Sequence, residues 1–226
     1  MFRVAEKFVS INGESRRAGE LAVFIRFTGC NLNCNYCDTA WAIPEDSPHE
    51  ELTKEEIIEY IKSTGVDNIT LTGGEPMLQS EINDLIVDCI SLNKRVEIET
   101  NGAVSLEDLY EEIQKLSLRD EVSVTMDYKC PGSGMEEFMV MENYDLLREY
   151  DTVKFVVSDV ADLDRAREII ESQKLVERKV SVYLSPVFGR IEPKTIVEYM
   201  IEHKMNGVTN QLQQHKFIWP PEMRGV

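Results

Sequence analysis

The chain has no run of about 20 apolar residues, so no segment reads as a membrane-spanning helix. Its first residues, "MFRVAEKFVSINGES", carry no apolar stretch ending in a small-residue cleavage site; no secretory signal is read, and a cytoplasmic protein is expected. Basic residues are few: 24 Lys and Arg stand against 41 Asp and Glu, a formal net charge of −17. A surface of that sign repels phosphate backbones, which argues against a nucleic-acid partner but leaves room for a small anion at a local basic site. There is no low-complexity linker and no repeat beyond an alternation of strand and helix, so the 226 residues are expected to form a single domain, 1–226.

Cysteine is scarce as well, with five in the chain, yet three of them, Cys30, Cys34 and Cys37, crowd into "GCNLNCNYCDTAWA" (29–42). In a reducing compartment crowded thiols bind metal rather than form disulfides. Thiolates select zinc, copper(I) or iron–sulfur clusters, and a closed site of zinc or of an ordinary cluster takes four ligands. The loop offers three. Cys89 falls on the apolar face of a helical pattern over 80–92 and reads as a buried core residue. Cys130 follows a strand and could add a fourth thiolate to zinc. The other reading is a four-iron cluster held by three thiolates, with one iron left open for a substrate or cofactor.

Strand-like runs occur at 21–28, 68–72, 95–100, 121–127, 152–157 and 180–184, short and rich in β-branched residues. Helical patterns separate them. Thr53 with Glu56 is a capping box, Ser105 opens a helix, residues 162–173 form another, and Pro193 begins the last at a first helical position. This alternation predicts an α/β fold with a parallel sheet and right-handed crossovers. A sheet covered on both faces reads almost uniformly apolar. Here Arg26 sits mid-strand, Glu97 and Glu99 share a face opposite Val96 and Ile98, and Asp127 and Lys154 fall on strands or at their ends. A partial (β/α)6-type curved sheet with a polar concavity is therefore expected. Its site would lie at the C-terminal strand ends, where "TGC", "TGGEP", "TNG" and "DYKCP" fall.

The Cys-x3-Cys-x2-Cys spacing after a first strand, together with "TGGEP" (72–76) after the second, resembles the radical S-adenosylmethionine (SAM) superfamily. That resemblance implies a radical SAM core with a 4Fe–4S cluster on Cys30, Cys34 and Cys37, its open iron chelated by SAM. Further segments, "NGE", "RFTGCNLNCNYCDT", "LTGGEP", "ETNG", "KCPGSGM" and a final Gln-x-His-Lys, are similar to the 7-carboxy-7-deazaguanine synthase family of deazapurine (queuosine precursor) biosynthesis, from Asn12 to His215. The family implies a lyase that converts 6-carboxy-5,6,7,8-tetrahydropterin to 7-carboxy-7-deazaguanine with loss of ammonia. SAM, the cluster and Mg2+ are the implied cofactors. The alternative is a radical SAM activase that makes a glycyl radical in a partner protein.

Carried over position by position, the resemblance assigns Thr39 to magnesium, and Gly74 with Asp127, Tyr128 and Lys129 to SAM. It assigns Ile11, Asn12, Gly13, Glu14, Arg26, Thr72 and His215 to the substrate pocket. Where the family commonly has Ser-Pro-Lys this chain has Asp127-Tyr128-Lys129, and Asn12 stands where Gln is frequent. Without the family, Arg26 could be a structural ion pair with Glu97 or Glu99, Asn12 and Glu14 a solvated turn, Thr39 a helix cap and His215 a surface residue. A tail of about 205–226 is expected to close the pocket. Expected partners are the pterin, an external electron donor such as flavodoxin, and a second copy in a homodimer, with neither nucleic acid nor membrane.

Overall fold

A computed structural model describes residues 1–221 and 223–226. The expected strands are present as β2 (Leu21–Phe27), β4 (Asn68–Gly73), β5 (Arg95–Thr100), β6 (Val122–Tyr128), β7 (Thr152–Val157) and β8 (Ser181–Pro186). Three more were not read from the sequence: β1 (Phe2–Ile11), β3 (Glu50–Leu52) and β9 (Val208–Asn210). They form one sheet in the order β3-β1-β2-β4-β5-β6-β7-β8-β9. Strand β2 and strands β4 to β9 pair in parallel, and β1 adds antiparallel to β2 with β3 antiparallel on its outer edge. The sheet is thus open, a partial barrel with an antiparallel extension.

The helices are α1 (Lys54–Thr64), α2 (Ile82–Ser91), α3 (Glu107–Lys115), α4 (Asn143–Leu146), α5 (Val160–Ser172), α6 (Pro193–Glu202) and α7 (His215–Ile218). The capping box of α1 is made: Thr53 Oγ1 accepts from Glu56 N (3.2 Å) and Glu56 Oε2 accepts from Thr53 N (2.8 Å). Gly65 ends that helix in the left-handed region at φ 69°. Pro193 opens α6 as expected, and Ser105 accepts from Glu107 N at the mouth of α3.

Alternation along the parallel strands sorts their side chains onto two faces. Val23, Ile25, Ile69, Leu71, Val96, Ile98, Val124, Phe155 and Leu184 join the inward stripes of α1 to α6 in one apolar core. Arg26, Thr72, Glu99, Asp127 and Lys154 turn the other way and line a cavity at the C-terminal strand ends. Among the described residues no helix is long and apolar enough to cross a membrane.

Candidate active site

The cysteine loop leaves the end of β2 and is pinned at its base and waist. Gly29 N donates to Ala42 O (2.9 Å), Cys30 N to Ile43 O (3.1 Å) and Asn35 N to Ser133 O (3.0 Å). Asn101, at the end of β5, donates to Asn31 Oδ1 (2.8 Å) and to Cys30 Sγ (3.5 Å). Cys30, Cys34 and Cys37 are free, half-buried and on the wall of one cavity of about 760 Å³. Burial pushes all three thiols up, while the Lys129 ammonium pulls each of them back.

Cys130 does not join them. It is fully buried beneath α5, its thiol directed at Asp162 O (3.8 Å), and it forms part of the apolar core. The fourth thiolate of a zinc site is therefore missing. Nor do any three His, Cys, Asp or Glu side chains among the described residues converge tightly enough to hold one metal ion. Three separated thiols facing a shared space suit a polynuclear cluster, and the donor set fits the iron–sulfur group that the sequence implies.

The "TGGEP" segment is stitched to this loop by backbone. Gly74 N donates to Phe27 O (3.0 Å) and Glu75 N to Gly29 O (2.8 Å). A Cβ on Gly74 would stand 2.0 Å from Gly29 O, so only glycine permits the approach. Glu75 is fully buried and accepts from Thr100 Oγ1 (2.8 Å), Asn101 N (2.7 Å) and Met77 N (3.0 Å). Burial nevertheless lifts its carboxyl to about 7. Its work is to hold Asn101 against the cysteine loop.

Asp127 and Lys129 line the cavity and pair with each other at 2.6 Å, with side chains mostly buried. Tyr128 between them is a correction. The strand continues through it, so alternation turns its ring into the core against Phe155, and its hydroxyl donates to Glu136 (2.5 Å). Only its backbone is available to a ligand.

Of the expected pocket residues, Ile11, Gly13, Glu14, Arg26, Thr72 and His215 line the cavity with Thr39 and Gly74. Asn12 does not: it is buried just behind the wall, accepting from Thr70 Oγ1 (2.7 Å), with its Nδ2 unpartnered. Arg26 pairs with neither Glu97 nor Glu99. Glu6 stands directly across from it on β1, and the bond runs from Arg26 Nε to Glu6 Oε2 (3.3 Å). Among the described residues its two Nη groups have no hydrogen-bond partner, which leaves the fork open to a carboxylate. Thr72 Oγ1 donates to Glu99 (2.7 Å). Glu14 accepts from Gln213 (3.2 Å) and pairs with Lys154 (3.3 Å), while its Oε1 is buried without a hydrogen-bond partner among the described residues.

The C-terminal segment lies over this pocket. His215, first residue of α7, packs on Gly13 so closely that a Cβ there would meet its Nδ1 at 2.2 Å. Burial lowers the His215 imidazole, against the pull of Glu14, and so favours its uncharged form. Lys216 reaches Asp38 (3.1 Å); burial would raise that carboxyl, but the lysine outweighs it and leaves it at about 2. Arg224 lies over the Trp41 ring, 3.9 Å from its centre. Glu222, within the expected closing tail, lies outside the described residues. Thr39 holds the N-cap position of the short turn Ala40–Ala42, but its hydroxyl makes no capping bond and donates instead to Asp38 Oδ1 (3.1 Å). With the neighbouring carboxylate it offers the hard oxygen donors that suit magnesium.

Sequence reasoning missed Glu6, Asp38, Gln213 and Lys216 as part of this site. Lys216 carried a signal, since it is the lysine of the Gln-x-His-Lys motif. Glu6 carried one only after β1 is recognised as a strand.

Residues 24–128 match the profile of the radical SAM superfamily. The 7-carboxy-7-deazaguanine synthase of Clostridium acetobutylicum is 53% identical over 227 residues, covering 100% of this chain and 99% of that one. The synthase of Chlorobaculum tepidum is 34% identical, covering 99% of this chain and 96% of that one. In fold, the chain is similar to the crystal structure of QueE from Escherichia coli, with a TM-score of 0.68 at 19% identity and 93% of each chain covered. With full-length kinship added to three thiols and a glycine-stitched loop at the strand ends, this chain belongs to the 7-carboxy-7-deazaguanine synthase family of the radical SAM superfamily.

Proposed function

We propose that the protein converts 6-carboxy-5,6,7,8-tetrahydropterin to 7-carboxy-7-deazaguanine with release of ammonia. The observation that carries this reading is the open guanidinium fork of Arg26 in the same cavity as the three free thiols. A fork fixed by Glu6 at Nε presents its two Nη groups to a carboxylate. The activase alternative lacks support: full-length relatives carry the synthase name, and an activase has no need of this fork.

The cluster and SAM, when bound, supply a carbon-centred radical for removal of a hydrogen atom at C6 of the pterin. Cys30, Cys34 and Cys37 would hold the cluster, and the Gly74 backbone with Asp127 and Lys129 would hold SAM, Asp127 accepting from ribose hydroxyls. Arg26 binds the pterin carboxylate, and Glu14 Oε1 accepts from the pterin's N–H edge. Ile11, Gly13, Thr72 and His215 complete the wall, with Asn12 fixing its loop to β4. A pocket of such groups rejects analogues that lack them. Thr39 would place its hydroxyl on magnesium. Residues of about 205–226 close the pocket of this single-domain enzyme and exclude water. An external donor such as flavodoxin delivers the electron, and the protein works as a homodimer.

The test is direct. Anaerobically prepared protein, given SAM, a reductant, magnesium and the carboxylated pterin, should form 5′-deoxyadenosine and the deazaguanine acid, followed by mass spectrometry. Cleavage of SAM with the pterin left unchanged would overturn the reading.

A further inference from the structure

Lys154 lies between Val153 and Phe155, both sealed in the core, so alternation along β7 turns it onto the cavity face. It is registered against Asp127 on β6. Its ammonium lies 3.3 Å from Asp127 Oδ1 and 3.3 Å from Glu14 Oε2, a residue 140 positions away on the loop after β1. Its side chain is only 9% exposed, and the titratable groups around it are Asp127, Glu14, Glu99, Lys129 and His215 of this cavity. On one side of it, Asp127 continues to Lys129 (2.6 Å). On the other, Glu14 continues to Gln213 of the closing segment (3.2 Å). Burial would lower such an ammonium, but Asp127, Glu14 and Glu99 together raise it and favour its charged form.

We infer that Lys154 is a positioning residue that couples occupancy of the pterin half of the cavity, through Glu14, to occupancy of the SAM half, through Asp127. This inference rests on the proposed function above. One ammonium shared by two carboxylates cannot be optimally placed for both until both are fixed. Glu14 Oε1 is buried and has no partner among the described residues, and Asp127 Oδ1 touches Lys154 without hydrogen-bond alignment. A ligand that fixes either carboxylate also fixes the ammonium, and the second ligand then meets an ordered partner. Such coupling is reciprocal: each ligand tightens the other by the same factor. Without the cation, Glu14, Asp127 and Glu99 would face one another as like charges, and the two halves would lose their shared partner.

The experiment measures SAM affinity by calorimetry on cluster-loaded protein, with the cluster kept oxidised so that SAM is not consumed, in the absence and presence of the carboxylated pterin. The wild type should show a coupling factor of about ten or more, equal when pterin is titrated with and without SAM. Lys154→Met should bring the factor to near one while iron content stays that of the wild type, and its melting temperature should fall because the carboxylates lose their shared cation. Lys154→Arg, which keeps the charge and can span two carboxylates, should restore most of it. Glu14→Gln breaks the bridge from its other end and should lower the factor as well, which covers the case of a misfolded Lys154→Met. If Lys154→Met or Glu14→Gln weakens both affinities and keeps the factor, the inference fails alone. If the wild type binds SAM but not the pterin, the proposed function falls, and the coupling falls with it.

Discussion

Along β5, Val96 and Ile98 are sealed in the core while Glu97 and Glu99 turn to the opposite, cavity side. The same contrast runs across the parallel strands, with Ile25, Leu71, Val124 and Phe155 on one face and Arg26, Thr72, Thr125 and Lys154 on the other. The helix-covered face gains stability from apolar burial and close packing. The cavity face holds charges that burial penalises and that only partners across strands make tolerable. Burial and repulsion from Glu99 push Glu97 to about 7, against the lowering by the hydroxyls of Thr125 and Ser15. One face therefore carries the fold, and the other carries groups whose cost is justified by ligands.

The cysteines divide along the same line, and here the largest effect is expected. Cys30→Ala, Cys34→Ala or Cys37→Ala should each abolish the cluster, which in the wild type should bring about four irons per chain. Cys89→Ala and Cys130→Ala, on the core side, should cost some stability and keep the iron. Iron and sulfide analysis of anaerobically prepared variants decides it, and loss of iron in Cys130→Ala would return the fourth-thiolate reading.

The next effect tests the cavity face through its binding of substrate. Arg26→Ala should weaken the carboxylated pterin by roughly 2–5 kcal/mol, the range for truncating one partner of a buried charge pair. Arg26→Lys should fall between, since it keeps the charge and loses the fork. A decarboxylated pterin should bind wild type and Arg26→Ala almost equally. Titration calorimetry reads all of these, and equal affinity of wild type and Arg26→Ala for the carboxylated pterin would remove Arg26 from the pocket.

Much of this contrast was legible in the sequence because period-2 alternation is local. The parallel strands, the α1 capping box and the shared face of Glu97 and Glu99 were all visible in windows of a few residues. What was hidden depended on non-local geometry. β1 is interrupted by a bulge between Val4 and Glu6, which breaks the alternation that would have announced it. Without β1 the partner of Arg26 was sought on β5 and found instead across an antiparallel pair. The motif that assigns Asp127 and Lys129 to SAM carries Tyr128 with it, yet the strand extends through Tyr128 and turns its side chain into the core. Asp38 and Lys216 meet across 178 residues, a distance over which sequence gives no pairing signal.

Acidity offers a way to set the two faces against each other in one measurement. Glu97 is raised in the fold from 4.5 to about 7, so its stabilising contribution is whole below pH 4.5 and is lost as pH rises through 7. The loss amounts to roughly 3 kcal/mol. Glu97→Gln, which mimics the protonated acid, should match the wild type near pH 4.5 and exceed it at pH 8. Phe155→Ala on the core face should cost about 3–5 kcal/mol at either pH. Denaturant unfolding of cluster-free protein at the two pH values separates them. A wild type whose stability does not fall between them, or a Glu97→Gln that gains nothing at pH 8, would show the carboxyl to be ionised at no cost.

The smallest effect concerns the segment that lies over the cavity rather than either face of the sheet. Lys216 is mostly buried; Asp38, although the protein packed around its carboxyl disfavours the charge, keeps 56% of its side chain open to solvent. Asp38 is lowered from 3.8 to about 2, so the pair's contribution is present above pH 3.8 and fades only as pH falls through 2. At neutral pH the pair is intact, but solvent at Asp38 limits it to the range of surface bridges, below about 1 kcal/mol. Lys216→Met should therefore leave global unfolding nearly unchanged. Its consequence should be local: the C-terminal segment, also held by Gln213 on Glu14 and Arg224 on Trp41, loses one of its ties. Amide hydrogen exchange should quicken over about 211–221 and stay slow in the sheet, as expected for a sub-global opening. Faster exchange in β5 and β6 as well would show that the segment supports the sheet rather than covering its cavity.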